Sequence, residues 1–514
     1  MALKAEIYRA LEDVVGPENI SEDPVILDSY AWRSGLLAGT DKFVPRFEAV
    51  TLPQNTEEVQ AIVKLCNRYK IQFKASSTGW AYCDPSGPGV VKIDLRRMNR
   101  IIEINEKNMY AVVEPYVVAT QLQAELMKRG LNCSINGAGG NCSALPIAGH
   151  AGLGLVSESA SYGERNQLAL EWVTPEGEIV RLGSLGSLGE WFCGDGPGPS
   201  LRGVVRGNTV PLGGLGVYTK AAQKVYHWPG PPIFPMEGVS PRYATSEIPP
   251  GFMFANFYVP STEKMIEALR KIGESEIGFQ LMVSNIAKIA VDLSKINVED
   301  LDQFDKMSML AQGPSFILVI AGNSPRDLEY KKRALQQIID ETGGKPLEPS
   351  KDPKFAGGFI WSFIRCTGAA SGCFRNTGAF GGMVPGTDIL NLMVNYIQTS
   401  AKTAEDFINK DKLLATGTFS FLQSIEHGHH AHAELLTRYF PNNPELAKGG
   451  AEFNMEANRT AIRGHFGVPH HVWSDTVHNM YGPHASNYNK WLRKIKKTFD
   501  PNAASESSNY ISAE

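Results

Sequence analysis

The sequence predicts an α+β protein of more than one domain, and three observations carry that prediction. The chain has 514 residues, which at ~100–200 residues per domain means two to four units. Hydrophobic residues make up 43% and charged residues 20%, the balance of a chain that buries a large core rather than of a disordered one. From Pro53 onward helix and strand signals alternate, and a second such series begins after the proline-rich passage His227–Pro235.

The N-terminal MALKAEIYRALEDVVG mixes acidic, basic and apolar residues at helical spacing, so it reads as an amphipathic helix and lacks the layout of a signal peptide. Thr56 is the expected N-cap of a helix whose stripe is Val59, Ile62, Val63 and Cys66, running to Tyr69. Strands follow at Val90–Asp94 and Tyr110–Glu114, then a helix from Thr120 that stops at Gly130. Leu168–Leu182 reads as a hairpin about the turn Thr174-Pro175-Glu176-Gly177, and glycine and proline crowd the loop Gly183–Gly216. Helices at Thr262–Gly273 and Arg326–Thr342 flank an apolar strand, Phe316–Ala321, in the second series. A last helix, Tyr488–Thr498, aligns Trp491, Leu492, Ile495 and Phe499 on one face and leaves Lys490, Arg493, Lys494, Lys496 and Lys497 for a solvated one. It stops at Asp500-Pro501-Asn502.

A net charge of −4 without a basic stripe argues against nucleic acid or an anionic membrane as partner. No apolar run reaches the ~18–20 residues of a membrane span. The seven cysteines are dispersed and form no C-x-x-C pair, so neither a disulfide framework nor a metal ribbon is indicated. A cytoplasmic protein acting on a small molecule is the expectation. One skew stands out: nine of the 11 histidines lie between His427 and His484.

Three loops place backbone N–H groups among small residues, the arrangement that receives a pyrophosphate. They are Ser76-Ser77-Thr78-Gly79-Trp80; Asn136–Gly140 continuing to Gly149-His150-Ala151-Gly152-Leu153-Gly154; and Gly213-Gly214-Leu215-Gly216. None fits the P-loop pattern, and none sits in a strand–G-x-G-x-x-G–helix unit.

Taken together, these segments resemble the FAD-binding module of the vanillyl-alcohol oxidase / p-cresol methylhydroxylase (PCMH) family. EAVTLPQNTEEVQAIVKLCNRYKI resembles its entry helix, KASSTGWAY its first pyrophosphate loop, and VVKIDLRRMNRIIEINEKNMYAVVEPYV its strand–loop–strand. SYGERNQLALEWVTPEGEIVRLGS resembles the hairpin under the flavin, GPGPSLRGVVRGNTVPLGGLGVYTKAA the closing strand, and YNKWLRKIKKTFDPN the final helix. The resemblance covers about 45–225 and 485–502. It implies a two-lobed PCMH-type FAD-binding domain at 1–235 and 480–514, with an α+β substrate-binding cap at 236–479. It also implies that Ser76, Ser77, Thr78, Gly79, Trp80, Gly139, Gly140, Gly149, Gly152, Gly216 and Val217 hold FAD. AASESSNYISAE, in place of the family's Gly/Pro-rich finish, is a departure.

GTFSFLQSIEHGHHAHAELLTRYF alternates apolar and polar residues and reads as a cap strand, with His427 and His429 on one face and His430 and His432 on the other. Three readings compete. In one branch of the family a cap histidine is bonded covalently to the flavin, which makes His427, His429 and His430 candidates. In the related 2-hydroxyacid dehydrogenases such histidines and a carboxylate hold a divalent metal, a set that Glu426, His427, His429 and His432 would supply. The third reading is hydrogen bonding within a polar sheet face. ANRTAIRGHFGVPHHVWSD resembles the family segment that binds a phenolate, so Arg463 and His465 are the anion-binding candidates, although Trp80 and Ile462 stand where the family has tyrosines. Glu164 stands where the family has an aspartate beside the flavin. Arg365 and Arg375, which flank TGAASGCF, are secondary candidates for a substrate anion.

The resemblance thus implies an FAD-dependent oxidoreductase that takes a hydride from an alcohol or a benzylic carbon and passes electrons onward, conceivably to a protein acceptor. A homo-oligomer and no resident metal are expected. The rivals are a metal-assisted 2-hydroxyacid dehydrogenase and a non-catalytic flavin subunit of an electron-transfer complex.

Overall fold

The computed structural model describes residues 3–31, 44–79, 87–135, 139–149, 158–161, 163–191, 193, 195, 200–207, 210–238, 246–285, 306, 309, 313–347, 352–365, 379–414, 418–440, 442–466, 468–469 and 474–513. The α+β architecture expected from the sequence is found. A first sheet runs β1 (Ile20–Ser21), β2 (Ala49–Thr51), β4 (Val90–Asp94), β3 (Gln72–Ser76), with β4 parallel to both β2 and β3. Its central strand is buried along its whole length, as parallel strands covered on both faces are. The helix Thr56–Tyr69 lays Val59, Ile62, Val63 and Cys66 on this sheet, all fully buried, and the helix Ala5–Val15 adds Ile7, Leu11 and Val15. The helix start differs by one residue from the expectation. Asn55 is the cap, its side chain accepting from the Glu58 N–H at 2.8 Å, because Thr56 turns inward and donates to buried Glu171 at 2.7 Å.

A second sheet is antiparallel, in the order β5 (Ile101–Asn105), β6 (Tyr110–Val113), β10 (Val217–Lys224), β8 (Gln167–Val173), β9 (Ile179–Arg181). The hairpin read from Leu168–Leu182 is β8 and β9, its turn closed by Gly177 N–H on the Thr174 carbonyl. A two-stranded ribbon of β7 (Leu131–Asn132) and β11 (Tyr226–His227) lies apart.

The third sheet has eight strands, all drawn from 252–469: β15 (Lys345–Pro346), β12 (Phe252–Tyr258), β14 (Ser315–Ala321), β13 (Gln280–Ser284), β17 (Phe419–Ile425), β18 (His430–Tyr439), β16 (Ala379–Asp388), β19 (Val468–Pro469). Its outer face carries Phe257, Leu281, Val283, Leu318, Leu422, Ala431, Ala433 and Leu435, which share a core with the helices Thr262–Glu274, Pro325–Thr342, Leu390–Ile408 and Pro444–Gly464. Its inner face carries Phe252, Phe254, Met282, Ile317, Val319, Phe421 and Leu436, which pack with Leu131, Trp172 and Trp228 of the earlier part of the chain. Alternation along each strand therefore decides which residues face the earlier part of the chain.

The helix Tyr488–Phe499 returns to the first part of the chain. Leu492, Ile495 and Phe499 pack there as expected, with Phe499 5.1 Å from the Trp172 ring, whereas Trp491 is exposed beneath the Lys494 ammonium. The solvated basic face is the larger correction: Arg493 and Lys496 are buried. The cause is the segment 500–513, which turns back against the helix and buries Ala504, Ser505, Glu506, Tyr510 and Ile511. Among the described residues no helix is long and apolar enough to cross a membrane.

Candidate functional site

The first glycine loop leaves the end of β3, the strand packed beside the helix Thr56–Tyr69. Ser76, Ser77 and Thr78 are half-buried, and Gly79 has φ +72° with open space where a Cβ would stand. Positive φ without crowding is what lets a turn present its backbone to a ligand. Trp80 lies outside the described residues.

In the second region Gly139 has φ +138°, and a Cβ on Gly140 would fall 2.1 Å from the Thr120 methyl. Gly149 closes the helix Ala144–Gly149, its Cβ position 2.9 Å from the Gln167 amide, and Gly152 lies outside the described residues. In the third, Gly216 has φ +78° with its Cβ position 2.3 Å from the Val173 carbonyl, and Val217 opens β10. Only glycine fits there.

Around these loops lie polar atoms buried without a partner: Ser134 Oγ, Gln167 Oε1, Gln223 Nε2 and the Tyr218 hydroxyl. Buried polar atoms are nearly always satisfied, so a group of orphans beside these glycine turns makes this region the candidate place of a ligand. The donor set suits FAD. Small turns are the elements that would hold its diphosphate, and the amides would meet the polar edge of its ring.

The histidine segment is a hairpin rather than one strand. β17 ends at Ile425, Glu426–His429 form the turn, and β18 starts at His430; the chain reverses because Glu426, His427 and Gly428 all take positive φ. His427 and His429 therefore sit in the turn. The His427 N–H donates to the Glu158 carbonyl at 2.9 Å, and His429 is exposed with its ring 4.5 Å from that of His430. His430 and His432 lie on the inner sheet face, since His432 pairs with Gln423 and Glu434 with Phe421. Buried His432 meets Thr387 Oγ1 at 3.1 Å through Nδ1, and its Nε2 is 3.6 Å from Glu434 Oε2. Burial, then the positive charge of Arg165, holds His430 below its ordinary pKa, so it is neutral at neutral pH.

Gln280, Ser284, Gln423, His430, His432 and Glu434 thus form a polar strip among Met282, Ile317 and Phe421 on the face turned toward the Leu131, Trp172 and Trp228 regions. Ser284 Oγ and Gln280 Oε1 are buried there without partners. Sequence reasoning missed Glu434, Gln423 and Ser284. The signal was the run His430-Ala431-His432-Ala433-Glu434, whose alternation puts 430, 432 and 434 on one face.

Other expected residues are not brought to this strip. Arg463 ends the helix Pro444–Gly464 on the outer side, with 63% of its side chain exposed and Glu456 at 2.6 Å. His465 is the exposed left-handed cap of the same helix. Glu164 lies in the turn Gly163–Asn166, its side chain outside the described set; the neighbouring Arg165 pairs with Glu426 at 2.5 Å and ties that turn to the hairpin. Arg365 donates to Gln123 and to the Thr120 carbonyl, both at 2.9 Å, and Arg375 lies outside the described residues. Among the described residues no three His, Cys, Asp or Glu side chains converge as a metal set.

Comparison with known proteins agrees with this geometry. Residues 47–183 match the family model described as FAD binding domain. The chain is 29% identical to the 4-cresol dehydrogenase [hydroxylating] flavoprotein subunit of Pseudomonas putida over 36% of each chain. It is 31% identical to D-2-hydroxyglutarate dehydrogenase of Stutzerimonas stutzeri over 34% of this chain and 37% of that one. The match thus spans about a third of these curated relatives. Among solved structures, 4-ethylphenol oxidase from Gulosibacter chungangensis superposes with TM-score 0.76 at 19% identity, covering 99% of this chain and 97% of that one. p-Cresol methylhydroxylase gives TM-score 0.76 at 17% identity, covering 98% and 96%. At such identities the structures establish the fold. Residues 47–183 thus carry an FAD binding domain, FAD is the cofactor it takes, and the fold around it is that of the PCMH-type flavoproteins.

Proposed function

We propose that the protein oxidises a small molecule by removing a hydride from an alcohol or a benzylic, alkylphenol-type carbon and passes the electrons to an acceptor. The observation that carries this reading is the strip of His430, His432, Glu434 and Gln423 among apolar side chains on the inner cap face. FAD supplies the hydride acceptor. The chain supplies orientation, a dry face and a base: loss of hydride from a carbinol carbon releases the hydroxyl proton, and the His432 imidazole, steadied by Thr387, is the group we assign to take it, with Glu434 stabilising the imidazolium. Glu164 remains the second carboxylate of the reading, and the cap at 236–479 over an FAD domain of 1–235 and 480–514 remains its domain division. Arg463 and His465 would orient an anionic substrate only after Arg463 leaves Glu456. A flavin tether is better served by His430 than by His427 or His429, which stand in the turn. A protein electron acceptor and a homo-oligomer complete the proposal.

The test is anaerobic mixing of the yellow protein with benzylic alcohols, 4-alkylphenols and 2-hydroxyacids. Bleaching by either of the first two classes, slowed ~10²–10⁴-fold in His432→Ala, is the expected outcome. Bleaching by 2-hydroxyacids alone, with a stoichiometric divalent metal, would establish the rival dehydrogenase, and no bleaching would leave a flavin subunit without catalysis. Acid precipitation decides the tether: flavin in the pellet is covalent.

A further inference from the structure

Lys74 and Glu506 form a fully buried ion pair, Nζ to Oε2 2.7 Å, and Lys74 also donates to Ser508 Oγ at 3.1 Å. Lys74 stands on β3 two residues before the Ser76–Gly79 loop. Segment 504–506 runs alongside that strand, with Phe73 N–H on the Ala504 carbonyl at 2.9 Å and Glu506 N–H on the Phe73 carbonyl at 3.0 Å.

The same segment grips the third glycine loop. Ser505 Oγ donates to the Gly213 carbonyl at 3.0 Å and accepts from the Gly216 N–H at 2.9 Å. Buried Lys496 donates to the Gly214 and Ser505 carbonyls at 2.7 and 2.8 Å and pairs with Asp500, which in turn accepts from the Ala504 and Ser505 N–H groups. One short stretch therefore bonds both to β3, the strand that leads into the first glycine loop, and to the third glycine loop, which belong to different sheets. A buried ion pair contributes little net stability compared with an apolar pair of the same shape, so what this pair adds is a fixed orientation of the two segments.

We propose that Glu506 is a cofactor-positioning residue: by anchoring Lys74 it sets the Ser76–Gly79 and Gly213–Gly216 loops to converge on the diphosphate of FAD. The proposal rests on the reading of these loops as the diphosphate site and is indifferent to the substrate. A purely electrostatic role predicts the opposite effect, because Glu506→Gln leaves an uncompensated lysine near two phosphates and would tighten binding. Positioning predicts looser binding.

The experiment titrates FAD into apoprotein, following flavin fluorescence, or the rate of uptake if the flavin proves covalent. Glu506→Gln should weaken binding at least 10-fold, with partial recovery in Glu506→Asp. The pair Lys74→Met/Glu506→Met, which refills the site with apolar atoms, should hold the apoprotein melting temperature near the unsubstituted value yet bind FAD as poorly. That pair keeps the test decisive if Glu506→Gln fails to fold. Gly79→Asp separates the two ideas: normal FAD binding there would remove the loop reading and the proposal with it. Weak binding in Gly79→Asp beside unchanged or tighter binding in Glu506→Gln and the Met pair would overturn the positioning role alone.

Discussion

Glu158 is completely buried where the segment before β8 meets the cap hairpin. Neither carboxyl oxygen makes a hydrogen bond; the unpaired Ser424 hydroxyl lies close enough to ease the burial in part, and the net effect pushes the pKa from 4.5 up to about 7. Folding therefore favours the protonated acid. The stability this supplies is fully present below pH 4.5, where the unfolded chain is also protonated, and is lost as pH rises through about 7. The loss is about 3 kcal/mol. Glu158→Gln, which cannot ionise, should flatten the fall in urea midpoint between pH 5 and pH 8, and parallel curves for the two proteins would refute the assignment. His478 has the opposite sign. Burial holds it near about 4, so the stability that depends on its neutral ring is present above its ordinary 6.5 and drains away as pH falls through about 4.

At the scale of elements, the helix Thr56–Tyr69 shows what the sequence could and could not tell. Its 3.6-residue stripe was legible because apolar spacing is local, and all four stripe residues are fully buried. The cap was misplaced by one residue because Thr56 answers to Glu171, 115 positions away. The distinction is measurable: Asn55→Ala should cost about 1 kcal/mol through the lost cap, whereas Thr56→Val should leave the helix start intact and withdraw one donor from the Glu171 carboxylate. Equal loss of helix-start protection in amide exchange for both variants would contradict this. The histidine run teaches the same lesson. Alternation alone suggested one strand, and only the pairing of β17 with β18 showed that the HGHH stretch spans a turn; that Glu434 shares a face with His432 was legible in the alternation and was missed. The glycine loops were legible as loops, since small residues announce turns; the buried Lys496 and Glu506 were not, because a basic helix face looks solvated until another segment covers it.

At the scale of the molecule, inner-face residues of the cap sheet and the Trp172 and Trp228 regions share one core, and Gln123 bridges to the Ile364 carbonyl at 3.0 Å. The two parts should therefore melt together. Saturating FAD at 100-fold above its dissociation constant should stabilise the folded state by about 2.7 kcal/mol and shift one calorimetric transition as a whole. Two transitions, only one of them moved by FAD, would show that the shared core does not couple them.

The Lys74–Glu506 pair has a consequence in time. At ~5–20 residues per second of synthesis, the 432 positions between these partners separate their emergence by roughly 20–90 s at those rates. Throughout that interval β3 has an open edge and a lysine meant for the interior. The nascent chain must carry that unfinished edge through synthesis of the eight-stranded sheet before segment 504–506 can cover it, which makes the interval the stage at which aggregation competes with folding.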